Sequence, residues 1–158
     1  MFVTADLYDE YGDSLDVMAP IFKDYGGVDS FSGEIETLKV NEDNALVRSV
    51  LEQPGHHRVL VVDGQGSLRC ALVGDNLASL ALENDWAGLV VFGCVRDARE
   101  LRNIPIGIKA LATNPRKSVK KGEGAKNVVV GFANCIIVPG QFIYADQDGV
   151  LLSEVALG

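Results

Sequence analysis

No stretch of this chain stays apolar for the roughly 20 residues that a bilayer-spanning helix requires. Its N-terminus, MFVTADLYDEYGD, is acidic where a secretory leader would be basic and then apolar. A soluble, cytoplasmic protein without a membrane partner is expected. Histidine is nearly absent: His56 and His57 stand together behind Pro54-Gly55, too little material for a histidine-based zinc site or a Ser-His-Asp triad. Cysteine is scarce as well. Cys70, Cys94 and Cys135 are odd in number, widely spaced and free of any CxxC pair, which argues against a disulfide framework and predicts buried, reduced thiols. Linkers, internal repeats and low-complexity segments are missing too, so the 158 residues are expected to form a single domain, residues 1–158.

What is present is core-forming material: 47% of residues are hydrophobic and 23% charged, a balance far from that of disordered chains. The net charge of −8 is unevenly spread. Residues 1–57 hold 12 acids against 3 bases, residues 58–126 hold 7 against 11, and residues 127–158 hold 3 against none. A basic middle inside an acidic protein fits a small anionic substrate better than a nucleic acid, which needs a broad basic face. The cluster Arg116, Lys117, Lys120, Lys121 and Lys126 reads as a solvated loop.

In chain order, Thr4 is placed to cap a helix over Ala5 to Tyr11 that Gly12 ends. Residues 13–29 read as a helical turn and a loop, and Phe31 to Val40 as a strand with one solvated face. Asn44 is placed to cap a helix with Leu46, Val47, Val50 and Leu51 on one side, stopped by Pro54-Gly55. Val59 to Val62 reads as a central strand and Leu68 to Val73 as another. A helix over Asp75 to Asn84 and a strand over Gly88 to Phe92 follow, in the pattern of a crossover unit in a partly parallel sheet. Beyond a helical turn at Asp97 to Leu101 come a strand at Ile106 to Leu111 and an exposed loop at Thr113 to Asn127. The tail reads as strands at Val128 to Phe132, Cys135 to Val138, Gln141 to Ala145 and Val150 to Leu152, with Asp148-Gly149 as a tight turn. The class is α/β, a layered mixed sheet with helices.

The only dense chemistry lies between Gly74 and Glu100. The start of the helix at Gly74-Asp75-Asn76-Leu77 offers free backbone N–H groups to a carboxylate or carbonyl oxygen. Arg96 supplies a guanidinium for a carboxylate, and Asp97 an oxygen ligand for a hard divalent cation. Taken singly, Asp75 is more simply read as an N-cap, and Arg96-Asp97 as a surface ion pair with Asp97 capping a short helix.

Together they make a pattern: Asp75, twenty intervening residues, Arg96-Asp97, two residues, Glu100. This resembles the metal-dependent 4-hydroxy-4-methyl-2-oxoglutarate aldolases and the regulator of ribonuclease E activity A, which share one fold family. The resemblance runs through YDEYGD, FSGEIETLK, VLVVDGQGSLRCALVGDNLA, WAGLVVFGCVRD and YADQDGVLLS. It implies a swivelling β/β/α domain, assembled as a homotrimer with sites near subunit interfaces. It implies further that Gly74, Asp75, Asn76, Leu77 and Arg96 bind the pyruvyl part of a small 2-oxo acid. Asp97 would ligate Mg2+ or Mn2+ directly, and Asp75, beside a metal-bound water, would move the proton. The implied activity is that of a class II aldolase, a lyase releasing pyruvate, with oxaloacetate decarboxylation through the same enolate. No Schiff-base lysine is needed, which leaves Lys109 structural or on the surface.

The alternative the resemblance implies is a non-catalytic inhibitor that binds ribonuclease E. In that branch an amide is expected at the metal position, a poorer magnesium ligand than the carboxylate of Asp97. The resemblance also implies, for the aldolases, a longer C-terminal region that gives an acid to the neighbouring site, and whether residues up to Gly158 supply such a contribution is left open by the sequence.

Overall fold

Apolar side chains on both faces of Val59 to Val62 need cover on both sides, and the fold supplies it as two different layers. In the computed structural model, which describes residues Met1–Gly158, the elements are α1 (Thr4–Tyr11), β1 (Asp16–Val17), β2 (Lys23–Asp24), β3 (Phe31–Lys39), α2 (Ala45–Leu51), β4 (Val59–Asp63), β5 (Ala71–Val73), α3 (Asp75–Glu83), β6 (Gly88–Val95), α4 (Ala98–Leu101), β7 (Gly107–Thr113), β8 (Ala125–Lys126), β9 (Val130–Phe132), β10 (Cys135–Ile137), β11 (Phe142–Asp146) and β12 (Gly149–Ser153). The main sheet runs β1-β12-β11-β3-β4-β6-β7-β2, with β5 joined to β6 and β8 to β3. Its centre, β3, β4, β6 and β7, is parallel, and the β11–β12 hairpin joins β3 antiparallel.

Leu60, Val62, Leu89 and Val91 pack on one side against Val47 and Leu51 of α2 and Leu77, Ala78 and Ala81 of α3. Val59, Val61 and Val90 pack on the other against Val130, Phe132 and Ile137 of the small β9–β10 sheet and Ile143 of β11. The result is the layered α/β, swivelling β/β/α arrangement that the resemblance implies. All three cysteines are buried and unpaired in it.

Several boundaries differ from the sequence reading, each for a tertiary reason. Thr4 is inside α1, whose N-cap is Val3, and its N–H and hydroxyl instead donate to the Asp146 carboxylate at 2.8 and 2.6 Å. Residues 13–29 hold, besides a single 3-10 turn at Gly12–Ser14, the short strands β1 and β2, recruited by the open edges of β12 and β7. Of Leu68 to Val73 only Ala71–Val73 is strand, and β6 runs three residues past Phe92. The turn between β11 and β12 is Gln147-Asp148, one residue earlier than read.

Lys109 is structural. Its side chain is only 3% exposed, and Nζ lies 3.0 Å from Asp24 Oδ1 and donates to the Asp146 carbonyl at 2.6 Å, tying β7 to β2 and β11. Asp24→Ala strands this ammonium in the interior. We expect it to lower the unfolding free energy by about 3 kcal/mol, read as a shift in the urea midpoint at unchanged slope.

Candidate functional site

β5 and β6 run parallel and end side by side, with Val73 beside Val95. Both chains then leave the sheet at its carboxyl edge, where ligands bind in open α/β sheets. One continues as Gly74-Asp75 into α3, the other as Arg96-Asp97 into α4. The register offset of 22 residues (95 − 73) recurs in the bond joining the two loops: Asp75 N–H donates to Asp97 Oδ2 at 3.0 Å. Asp97 therefore caps α3 from the neighbouring loop. It holds left-handed backbone angles, φ 61° and ψ 43°, and makes no side-chain bond to its own helix.

Both simpler readings are thus corrected. Asp75 is not the N-cap of α3, a position held by Gly74. Arg96 and Asp97 are not an ion pair: none of the chain's four salt bridges includes either. The Arg96 guanidinium donates only to the Pro115 carbonyl, at a long 3.4 Å. Gly74 is required by space rather than by backbone angle. Its φ of −126° suits any residue, but a Cβ there would sit 2.5 Å from Asp97 Oδ2 and 3.3 Å from Arg96 Cγ.

These loops wall a cavity of about 390 Å³. Gly74, Asp75, Asn76, Leu77, Arg96 and Asp97 all line it, so every residue singled out from the sequence as a site residue converges there. Glu100 does not; it is exposed on α4 and acts on Asp75 only through its charge. Among the other lining residues are four polar ones that the sequence reading did not place at the site: Asn44, Arg48, Lys117 and Lys120. The segment read as a free loop is wired in place, because the Arg116 carbonyl accepts from Ala71 N–H at 2.8 Å and the Asp43 carboxylate accepts from the Lys121 and Glu123 N–H groups at 3.0 and 3.1 Å. Asn44 makes no side-chain cap on α2. Asp43 accepts from Ala45 N–H instead, while Asn44 Nδ2 donates to the Leu72 carbonyl at 3.0 Å and Oδ1 accepts from Lys120 Nζ at 3.1 Å. The basic excess of residues 58–126 was the only hint of Lys117 and Lys120 in the sequence, and nothing there pointed to Asn44 or Arg48 as lining residues.

The Asp75 carboxyl is pushed above its ordinary value of 3.8, first by the neighbouring Asp97 side chain as a hydrogen-bond partner, then by desolvation and the Asp97 charge. A carboxyl whose folded-state pKa is raised gives stability that is full below its unfolded value and lost as pH rises through the folded one. The pair therefore costs the fold stability at neutral pH. Asp75→Asn is expected to raise the melting temperature at pH 7 by about 2 °C and to leave it unchanged or lower at pH 3, as differential scanning calorimetry across that range will show.

No three His, Cys, Asp or Glu side chains gather anywhere as a cage. The paired carboxylates fit a different kind of site, that of Mg2+ or Mn2+, which keep several waters and need only one or two protein carboxylates. Gly74 matches this fit, since the hydrogen at its Cα leaves the Asp97 oxygen room that a Cβ would fill.

A match to the RraA-like family, described as Aldolase/RraA, spans residues 4–152. A protein of Alkalilimnicola ehrlichii, provisionally named 4-hydroxy-4-methyl-2-oxoglutarate aldolase, is 53% identical over 98% of this chain and 96% of its own length. Among solved structures, the RNA-processing inhibitor RraA of Thermus thermophilis superposes with a TM-score of 0.96 at 48% identity, covering 100% of this chain and 96% of that one. A Geobacillus kaustophilus structure described as an S-adenosylmethionine:2-dimethylmenaquinone methyltransferase gives 0.95 at 48% identity, covering 99% and 97%. Three different activities are thus named on one fold at similar distance, and the choice among them falls to the chemistry of the cavity.

Proposed function

The chain belongs to the RraA-like family, and on that premise we propose that it is a divalent-metal-dependent lyase cleaving 4-hydroxy-4-methyl-2-oxoglutarate by retro-aldol chemistry to pyruvate. The observation that carries this reading is the clasp of Asp75 and Asp97 beside the unpaired Arg96 at one wall of the cavity. Arg96, with no carboxylate of its own, grips the carboxylate of the 2-oxo acid and fixes its orientation. The first-turn N–H groups of α3 beyond Asp75 lack helical acceptors and face the substrate oxygens. Asp97 would hold Mg2+ or Mn2+, which when bound would supply Lewis-acid polarisation of the 2-oxo group. Asp75, with its raised proton affinity, takes the proton of the C4 hydroxyl through a water as the C3–C4 bond breaks, and returns one to C3 of the pyruvate enolate. Decarboxylation of oxaloacetate generates the same enolate and belongs to the proposal as a side activity.

Exposed apolar residues Val129 and Ile136 on and beside the β9–β10 sheet support self-association, proposed to give a homotrimer and to be checked by light scattering. No helix is long and apolar enough to cross a membrane, which is compatible with a cytoplasmic place for the reaction.

The test is pyruvate release from 4-hydroxy-4-methyl-2-oxoglutarate or oxaloacetate with Mg2+, coupled to lactate dehydrogenase. No metal-dependent release from either sinks the proposal. The likeness to the Thermus inhibitor favours a second reading, in which the protein binds ribonuclease E and restrains it without chemistry. A pull-down with that nuclease at micromolar concentration and an RNA cleavage assay decide it, and absence of binding counts against it.

A further inference from the structure

A second cavity, of about 410 Å³, adjoins the first along the segment that follows β7, and Lys117 lines both. Buried polar side chains form part of its wall: Asp43, Cys70 and Ser118 are only 2, 5 and 5% exposed. Most of its acids are already engaged. The Asp43 carboxylate accepts from the Ala45, Lys121 and Glu123 N–H groups, and that of Glu42 meets Ser67 Oγ at 2.6 Å and Arg69 Nε at 3.2 Å. Arg116, Lys117 and Lys121 remain, facing Glu123, and none of these four takes part in any of the chain's salt bridges. Three uncommitted cations against one acid, on backbone fixed by the Ala71–Arg116 and Val119–Glu42 hydrogen bonds, suit a ligand with a dianionic group. The cavity is too large for that group alone. No aromatic residue lines it, so a nucleobase would find nothing to stack on, whereas Asn41 and Glu123 offer hydrogen-bond partners for hydroxyl groups.

We propose that this second cavity binds a phosphate ester of a sugar or other polyol, with Arg116, Lys117 and Lys121 on the phosphate and Asn41 and Glu123 on the hydroxyl groups. Because Lys117 is shared, a phosphate held there neutralises one of the four positive charges lining the first cavity, Arg48, Arg96, Lys117 and Lys120. The ester thereby weakens the binding of anions next door. This coupling, unlike the binding itself, rests on the reading of the first cavity as the site of a 2-oxo acid.

The test is calorimetry with ribose 5-phosphate, inorganic phosphate and ribose, in the absence of metal and 2-oxo acid, so that it stands apart from the lyase reading. The parent is expected to bind ribose 5-phosphate at least about tenfold more tightly than inorganic phosphate, and not to bind ribose. Arg116→Gln/Lys121→Gln, at two positions outside the first cavity, is expected to lose at least about tenfold in affinity for the ester. Lys121→Arg, which keeps the charge, and Arg96→Gln, in the first cavity, retain it. A folded double variant that binds like the parent overturns the proposal, as does loss of binding in Arg96→Gln, which would place the ester in the first cavity. A parent that binds none of the probes, or binds inorganic phosphate as tightly as the ester, overturns it too. With Mg2+ present, saturating ester is expected to lower the affinity for pyruvate about threefold. An unchanged affinity overturns the coupling, and a parent that binds the ester but never pyruvate counts against the lyase reading while upholding this site.

Discussion

Asp97→Asn is expected to lower kcat/KM for 4-hydroxy-4-methyl-2-oxoglutarate on the order of 10³-fold. The amide keeps the shape of the side chain and an oxygen to accept the Asp75 N–H, so the cap on α3 and the fold are retained. What is lost is the charge, and with it the affinity for a hard divalent cation. Two readouts separate this from general damage. Mg2+ raises the melting temperature of the parent, because a ligand of the native state stabilises it, and it does not raise that of the variant. The proton affinity of Asp75 also relaxes toward normal, since Asp97 supplies both the hydrogen bond and the largest neighbouring charge acting on it. A variant within tenfold of the parent contradicts the role given to Asp97.

Gly74→Ala is expected to cost about 10²-fold in kcat/KM with a change in melting temperature of only a few degrees. The added methyl meets Asp97 Oδ2 at 2.5 Å, a distance that cannot persist, so the carboxylate or the loop must shift. A displacement near 1 Å at a site that works by alignment is enough for a loss of that size. Because φ at this position is ordinary, the effect is on the site and not on backbone strain. Gly74→Ala with Asp97→Asn together should lose little more than Asp97→Asn alone, as the two changes act through one oxygen.

The halves of this site were legible because each sits where local rules speak: a glycine and an acid opening a helix, an arginine and an acid closing an apolar strand. Their meeting was not, since it depends on the pairing of Val73 with Val95, a non-local register that neither strand specifies alone. Asn44 and Asp43 are both favoured N-cap types, and the sequence does not decide between neighbours. The choice is made by Leu72 and Lys120, which claim the Asn44 side chain. Thr4 was drawn from its capping role by Asp146, 142 residues away. Lys117 and Lys120 look like any solvated run until the Ala71–Arg116 bond and the Asp43 carboxylate fold that run over the cavity. The parallel core was clearer, because Val59 to Val62 needs burial on both faces wherever its partners lie.

Metal-dependent cleavage at this cavity is what separates a lyase from a protein that only binds. Its most direct test is pyruvate release from 4-hydroxy-4-methyl-2-oxoglutarate by the purified protein, measured with Mg2+, after chelation by EDTA, and after Mg2+ is restored. Release that stops with the chelator and returns with the metal is the predicted result. Release indifferent to the chelator, or none under any of the three conditions, would contradict it.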